Sequence, residues 1–316
     1  MDALIEARGL ERTFDVRRRT GGGRRRAEVV RAVHDLDLSV ASGEMVGYIG
    51  PNGAGKSTTI KMFTGILVPT DGSLRVAGLE PSRQRRELAR RIGVVFGQRS
   101  ALWWDLPLRD SFELLAKLYR IPEATFRANL SRFTELLDLG EQLDTPVRQL
   151  SLGQRMRGDI TAALLHEPEI LFLDEPTIGL DVVSKGRLRE FLRSLNAEHG
   201  TTLMLTTHDL QDIEALCDRV VVIDHGTKVY DGSLAALRAR GGSHRTLVVD
   251  LVDVAPAIEI PGATVQRVEG PRQWLTFPGE ASAAPLVAAV AANYEVADLS
   301  ILEPAIEDVI RELYAR

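Results

Sequence analysis

The run Gly50-Pro51-Asn52-Gly53-Ala54-Gly55-Lys56-Ser57-Thr58 is the stretch of this sequence best suited to hold a chain of phosphates. It fits the pattern G-x-x-x-x-G-K-[ST], in which each residue type has a physical task. The glycines let the backbone bend so that successive N–H groups converge on anionic oxygens. A helix starting near Lys56 would aim its positive end at the same place. Lys56 would neutralise the outer phosphates, and the Ser57 hydroxyl would ligate the Mg²⁺ of a bound nucleoside triphosphate. A second chemical feature lies farther on, where the apolar run Ile170-Leu171-Phe172-Leu173 ends in Asp174-Glu175. Carboxylates at the carboxyl end of a buried strand stand where ligands bind in parallel sheets. Asp174 would hold the metal, usually through water, and Glu175 would orient and polarise an attacking water.

Groups so far apart in sequence need a scaffold that gathers them. Apolar runs at 44–49, 92–96, 169–173, 203–206 and 219–223 alternate with longer amphipathic stretches, the rhythm of an α/β domain. Between Asp110 and Asp138 the spacing becomes helical, through Phe112, Leu114, Leu115, Leu118 and Tyr119, then Phe126, Leu130, Phe133 and Leu137. A second, helical lobe inserted in the α/β domain is expected at about 99–165. Gly241-Gly242-Ser243 reads as a break, giving domains 1–240 and 241–316. The second part has strand candidates at 246–251, 264–268 and 274–277 and room for two helices, enough for a small α+β module.

The 316 residues are 44% apolar and 26% charged, within the range of globular proteins. A net charge of −5 argues against a general nucleic-acid binder, and no nucleic-acid partner is expected. One cysteine, Cys217, forms no internal disulfide and fits a reducing cytoplasm. No apolar run reaches the ~18 residues that span a bilayer. The stretch Arg17-Arg18-Arg19-Thr20-Gly21-Gly22-Gly23-Arg24-Arg25-Arg26 is expected not to fold locally, because like charges repel and glycine favours the coil. It reads either as a solvated hairpin loop or as a contact for anionic lipid headgroups.

With the phosphate loop and Asp174-Glu175 in place, further motifs resemble one family, the ATP-binding subunits of ABC transporters. Gln98, in Phe96-Gly97-Gln98-Arg99, falls at that family's Q-loop. Leu150-Ser151-Leu152-Gly153-Gln154 resembles its signature motif, with Leu152 where glycine is commonest. Leu180-Asp181 looks like the D-loop, His208 like the switch histidine, and Phe14 like the aromatic that stacks on adenine. The resemblance implies a P-loop NTPase: a RecA-like core with an antiparallel β subdomain, an inserted helical lobe and a small C-terminal module. It also implies ATP and Mg²⁺ as cofactors, with Ser57, Gln98 and Asp174 toward the metal. One chain holds one phosphate loop and one signature, so a head-to-tail dimer with two ATP is implied. Each site would join Lys56, Ser57, Gln98, Asp174, Glu175 and His208 of one chain to Ser151 and Gly153 of a second copy or a paralogous ATPase subunit. Gln154 and Asp181 would complete the nucleotide contacts.

The segment Leu299 to Tyr314 resembles the tail of type-2 exporter ATPases, and the segment from Gln98 through Trp103-Trp104 to Pro107 resembles a multidrug or viologen exporter subgroup. The implied partners are integral membrane permease subunits, with the chain peripheral on the cytoplasmic face of the cell membrane. Importer subunits and soluble ABC ATPases acting on macromolecules are the competing classes. Trp103 and Trp104, just after the Q-loop, are either packed in the helical lobe or form a groove for a permease helix, with one ring exposed.

Overall fold

The alternation in the sequence becomes three sheets in a computed structural model that describes residues 3–19, 25–97, 99–207, 209–241, 244–279, 281–302, 309–310 and 313–314. Two compact units divide the chain, Met1–Asp231 and Gly232–Arg316. The expected break at 240/241 instead closes a helix, since Gly241 ends α8 (Leu234–Gly241).

In the first unit, β1 (Ala3–Arg19), β2 (Arg25–Ala41) and β4 (Asp71–Val76) form an antiparallel sheet in the order β2-β1-β4. The second sheet has the order β5-β6-β7-β3-β8-β9, built from β3 (Met45–Ile49), β5 (Ile92–Phe96), β6 (Ile170–Asp174), β7 (Thr202–Thr206), β8 (Arg219–Asp224) and β9 (Thr227–Ser233). Its strands β5, β6, β7, β3 and β8 are parallel. Ile170, Leu171, Phe172 and Leu173 have no exposed surface, which is why β6 reads as an unbroken apolar run. Helix α1 (Lys56–Phe63) contributes to this core, with the rings of Phe63 and Phe172 at 6.3 Å.

The register places the site. Phe96 lies opposite Asp174, and Asp174 opposite Thr206, while β3 pairs with β7 and β8. The carboxyl ends of four neighbouring strands therefore lie in one row, at the positions followed by Gly50, Gly97, Glu175 and Thr207.

The remaining helices of this unit are α2 (Arg85–Leu88), α3 (Leu108–Tyr119), α4 (Glu123–Leu136), α5 (Leu152–Leu164), α6 (Val182–His199) and α7 (Leu210–Leu216). The helical lobe falls within the expected span, as α3 to α5. Its apolar stripe divides: Phe112, Leu115, Phe126 and Phe133 are buried, but Leu114 and Leu118 face outward.

One expectation is corrected at the arginine stretch. The backbone ladder of β1 and β2 continues through Arg17↔Ala27, Arg18↔Arg26 and Arg19↔Arg25, so only 20–24 fall outside the described residues. Main-chain pairing propagated along a 17-residue hairpin arm outweighs the repulsion expected from the charges.

The second unit contains α8 and a sheet of order β11-β12-β10-β13, from β10 (His244–Leu251), β11 (Thr264–Glu269), β12 (Arg272–Pro278) and β13 (Val296–Leu302). Helix α9 (Ala283–Asn293) completes a core with Leu247, Val249, Leu275 and Phe277. Strand β13 was not expected from the sequence, because Asp298 and Ser300 interrupt its apolar residues. Of the rest of the tail, 303–308 and 311–312 lie outside the described residues, and Val309 and Ile310 are buried.

Candidate nucleotide site

Two glycines make the bend after β3. Gly53 and Gly55 adopt φ +85° and +104°, the left-handed region that other residues enter at a cost. At Gly55 an added Cβ would also meet the Ala32 carbonyl at 2.3 Å. The bend hands the chain directly to α1, whose first residue is Lys56.

Lys56 is 7% exposed, and its Nζ turns into the loop, donating to Gly50 O at 2.5 Å and Pro51 O at 3.1 Å. Burial draws its pKa below the ordinary lysine value, while Glu175 and then Asp174 pull it back upward. Ser57 Oγ donates to Asp174 Oδ2 at 3.2 Å, and Thr206 Oγ1 donates to Asp174 Oδ1. The two carboxylate oxygens are thus oriented from both sides, by α1 and by the neighbouring strand β7. Pro51, Gly55, Ser57 and Thr58 are partly exposed, Asn52 and Gly53 are exposed, and Ala54 is buried.

Glu175 follows at φ +55°, a left-handed backbone for a residue with a side chain. Such strain persists where neighbours over-determine the conformation, and it concentrates at functional sites. The neighbours are identifiable: Glu175 N donates to Thr206 O at 2.8 Å, and Gly97 N donates to Asp174 O at 2.8 Å. An extra Cβ at Gly97 would lie 2.8 Å from that same Asp174 carbonyl, so the approach requires glycine.

Ser151 and Gln154 lie at another helix start. Ser151 caps α5, its Oγ accepting from Gln154 N at 3.2 Å while Gln154 Oε1 accepts from Ser151 N at 2.9 Å. This capping box sits on the surface, with Ser151 and Leu152 exposed and Gly153 and Gln154 half-buried. Leu152 leans over Gly179: a Cβ placed on Gly179 would be 2.2 Å from Leu152 Cδ2. A Cβ on Gly153 would in turn touch Leu180 Cδ2 at 3.0 Å. Asp181 caps α6, accepting from Ser184 N at 2.9 Å and from Ser184 Oγ at 2.6 Å, and these bonds hold its carboxyl below the usual range. Within the chain, Asp181 therefore serves as a helix cap.

Phe14 pairs with Val30 in the β1–β2 hairpin and is half-buried, with the Arg12 guanidinium 4.5 Å from its ring centre. The two tryptophans are both out: Trp103 is 41% and Trp104 54% exposed, and Arg155 lies 5.5 Å from the Trp104 ring centre. The reading of both rings packed inside is corrected, whereas the expectation of an exposed ring holds, at both positions. Leu102, buried beside them, anchors the segment instead. Gln98 and His208 lie outside the described residues. Their chain neighbours Gly97 and Thr207 are the positions that follow β5 and β7.

A family model described as ABC transporter matches residues 33–178. The ABC transporter ATP-binding protein NatA of Bacillus subtilis (strain 168) is 34% identical over 210 residues, 66% of this chain and 85% of that protein. The daunorubicin resistance ATP-binding protein DrrA3 of Streptomyces coeruleorubidus is 34% identical over 298 residues, 92% of this chain and 94% of that protein. The chain belongs to the ABC transporter ATP-binding proteins. A solved dimeric ATP-binding cassette in a post-hydrolysis state, bound to ADP and Pi, superposes on it with a TM-score of 0.63 at 25% identity, over 73% of this chain and 98% of that one. ATP binding and hydrolysis are accordingly the activity of this ABC subunit.

Sequence reasoning passed over several hydrogen-bonded polar residues on the segments around these groups. Thr206 ends an apolar strand and gave no signal of its own. Asp159 lies on α5 and accepts from Ser100 Oγ and Ala101 N, both at 2.8 Å. Burial raises its pKa to about 6, opposed by those two hydrogen bonds. An acid among Met156, Ile160 and Ala163 was the available sign. Asp212 and Arg189 were passed over in the same way.

Proposed function

We propose that this ABC subunit powers export through a membrane permease as a head-to-tail dimer with two ATP at the interface. One observation carries the reading: a single chain encloses one half of a nucleotide site and leaves the other half outward. Lys56, Ser57 and Asp174 are already bonded to one another or to the loop. The signature helix start lies open instead, near exposed apolar side chains at Leu152, Ile178, Val182 and Val183, with Val182 86% exposed. Apolar surface beside a helix N-terminus fits a second copy carrying nucleotide phosphates.

The hard oxygen donors Ser57 Oγ and Asp174 Oδ2, 3.2 Å apart, fit Mg²⁺, with Gln98 as the further metal-side residue. Ser57 Oγ and Asp174 Oδ2 would hold that ion, whose positive charge when bound would offset charge developing on the transferred phosphoryl group. Lys56 holds the outer phosphates, and Glu175 accepts a hydrogen bond from the attacking water and polarises it. His208 contacts the γ-phosphate from the segment after β7, and Phe14 stacks on adenine. Ser151 and Gly153 of the partner close the site through the hydroxyl and backbone N–H groups.

Export, and an amphiphilic cargo, follow from the relatives: one is named for daunorubicin resistance, and a Ralstonia nicotianae protein 37% identical over 67% of this chain is named for Nod factor export. No described helix is long and apolar enough to cross a membrane; integral membrane permease subunits are the proposed partners. Trp103 and Trp104 supply an aromatic surface for their cytoplasmic helices. The Gly232–Arg316 unit would be an accessory domain.

Mixing two inactive variants tests the shared sites. In a dimer of Lys56→Ala with Ser151→Ala, one site carries both changes and the other carries neither. Each variant alone should show little ATPase activity, and the mixture should recover well above the sum of the two. A mixture no more active than its components would rule out sites shared between chains.

A further inference from the structure

Asp212, in α7, has no exposed surface. A carboxylate withdrawn from water is costly unless charge and hydrogen bonds replace its hydration. Its Oδ1 accepts from Arg189 Nε at 2.7 Å, and Arg189 Nη2 stands 2.5 Å from the same oxygen. Its Oδ2 accepts from Thr177 Oγ1 at 2.5 Å and from Thr207 Oγ1 at 3.4 Å. Both threonines are buried as well.

These partners come from segments with separate duties. Thr177 is two residues past Glu175. Thr207 stands between His208 and Thr206, the residue that donates to Asp174 and accepts from Glu175 N. Arg189 is on α6, the helix that Asp181 caps. A second link, Lys185 to Asp209 at 2.6 Å, joins α6 to the start of α7. One carboxylate is therefore the junction of the chain after Glu175, the chain after β7, and two helices.

The strain at Glu175 gives the junction a purpose. Upstream, the left-handed backbone is pinned by the strand-end bonds to Thr206 and Gly97. Downstream, Ile178 N reaches Glu175 O at 3.3 Å, and the shorter tether is Thr177 to Asp212. Releasing that tether lets the peptide carrying Glu175 relax, and small displacements of a catalytic base are expensive in rate.

We propose that Asp212 is a positioning residue for ATP hydrolysis, which holds the Glu175 backbone through Thr177 and locks it to the end of β7 through Thr207. The inference rests on the reading of Glu175 as the residue that polarises water. It predicts a loss in turnover with nucleotide binding left intact, because the phosphate loop is not part of the junction.

The test uses the full chain and steady-state ATPase kinetics, with Kd for a fluorescent ATP analogue and Tm measured alongside. Thr177→Val keeps the side-chain shape but removes the donor, and Thr177→Ser keeps the donor. Thr177→Val should lower kcat about thirty-fold with Kd changed less than about two-fold, and Thr177→Ser should return kcat to within about three-fold of the parent. Asp212→Asn should lower kcat at least as far and also lower Tm, since it removes the nearer of the two carboxylates beside Arg189, leaving Asp209 at 3.8 Å. Parent-like kcat in Thr177→Val, or equal losses in the Val and Ser variants, would overturn the proposal. Glu175→Gln serves as the reference: if it keeps turnover, the role of Glu175 itself fails, whereas an inactive reference with active Thr177→Val removes only the junction.

Discussion

The phosphate loop and the segment at Ser151 both open helices, yet their surroundings differ sharply. At the first, Lys56 is buried, Ser57 is bonded to Asp174, and the neighbouring strand end completes the arrangement through Thr206. At the second, the capping box satisfies the helix start by itself and leaves Ser151 and Leu152 on the surface. The contrast teaches how a shared site is divided. The half that does chemistry needs many strands to fix it, because charges must be desolvated and aimed before reaction. On the proposed reading, the half that meets a neighbour's phosphate needs only a rigid helix terminus, whose start the capping box satisfies within one chain.

That division fixes the ranking of variants. The largest effect belongs to the enclosed half: Glu175→Gln should cut kcat by about a thousand-fold, because an amide cannot polarise water as a carboxylate does. ATP should still bind, and gel filtration with Mg-ATP should show an accumulated dimer. A monomer under those conditions would break the comparison, since the closed form would then not depend on two chains.

The open half should respond differently. Ser151→Ala should lower ATPase activity by on the order of ten- to a hundred-fold, while nucleotide affinity measured at low protein concentration stays unchanged. It also removes an N-cap and should cost about 1 kcal/mol in denaturant unfolding. A large fall in affinity for nucleotide in the isolated chain would place Ser151 in the enclosed half.

A change that touches stability and leaves turnover alone sharpens the boundary between the two. Asp159 belongs to α5, the helix that Ser151 starts, and is tied to Ser100 and Ala101. Its pKa is raised from 3.8 to about 6 by burial, so the folded chain binds this proton more tightly than the unfolded chain. This group therefore lowers stability as pH climbs from about 4 through 6, by up to about 3 kcal/mol, and the loss is complete above that range. Asp159→Asn should remove the slope, with its Tm relative to the parent rising between pH 5 and 7. A difference in Tm that does not change with pH would contradict the shift.

Much of this was legible in the residues. Gly50–Thr58 and Asp174-Glu175 declare themselves because phosphate and metal chemistry demand particular types at particular spacings. The five strands at 44–49, 92–96, 169–173, 203–206 and 219–223 were readable because buried parallel strands are continuously apolar. The connections among them were not. Thr206, Thr177 and Asp212 matter through hydrogen bonds across strand ends, and a lone threonine or aspartate carries no sign of its partner. The surface was also poorly legible: helical spacing puts Leu114 and Leu118 in an apolar stripe, yet it cannot tell a core face from one left outward. The arginine stretch shows a third limit, where backbone pairing begun far away along the hairpin overrode the local preference of the residues.

The shared register of β5, β6 and β7 also governs where this chain tolerates changes in length. Phe96, Asp174 and Thr206 stand side by side, and everything that follows them is aimed by that alignment. A residue gained or lost within β6 would turn Asp174 and Glu175 to the opposite side of the sheet. The crossovers are constrained only where they carry site residues, as α1 does with Lys56 and Ser57 and α6 and α7 do with Arg189 and Asp212. Grafting and insertion in this chain therefore have a natural map: open where an excursion from the sheet holds no bond to the site, closed for a single residue at its carboxyl ends.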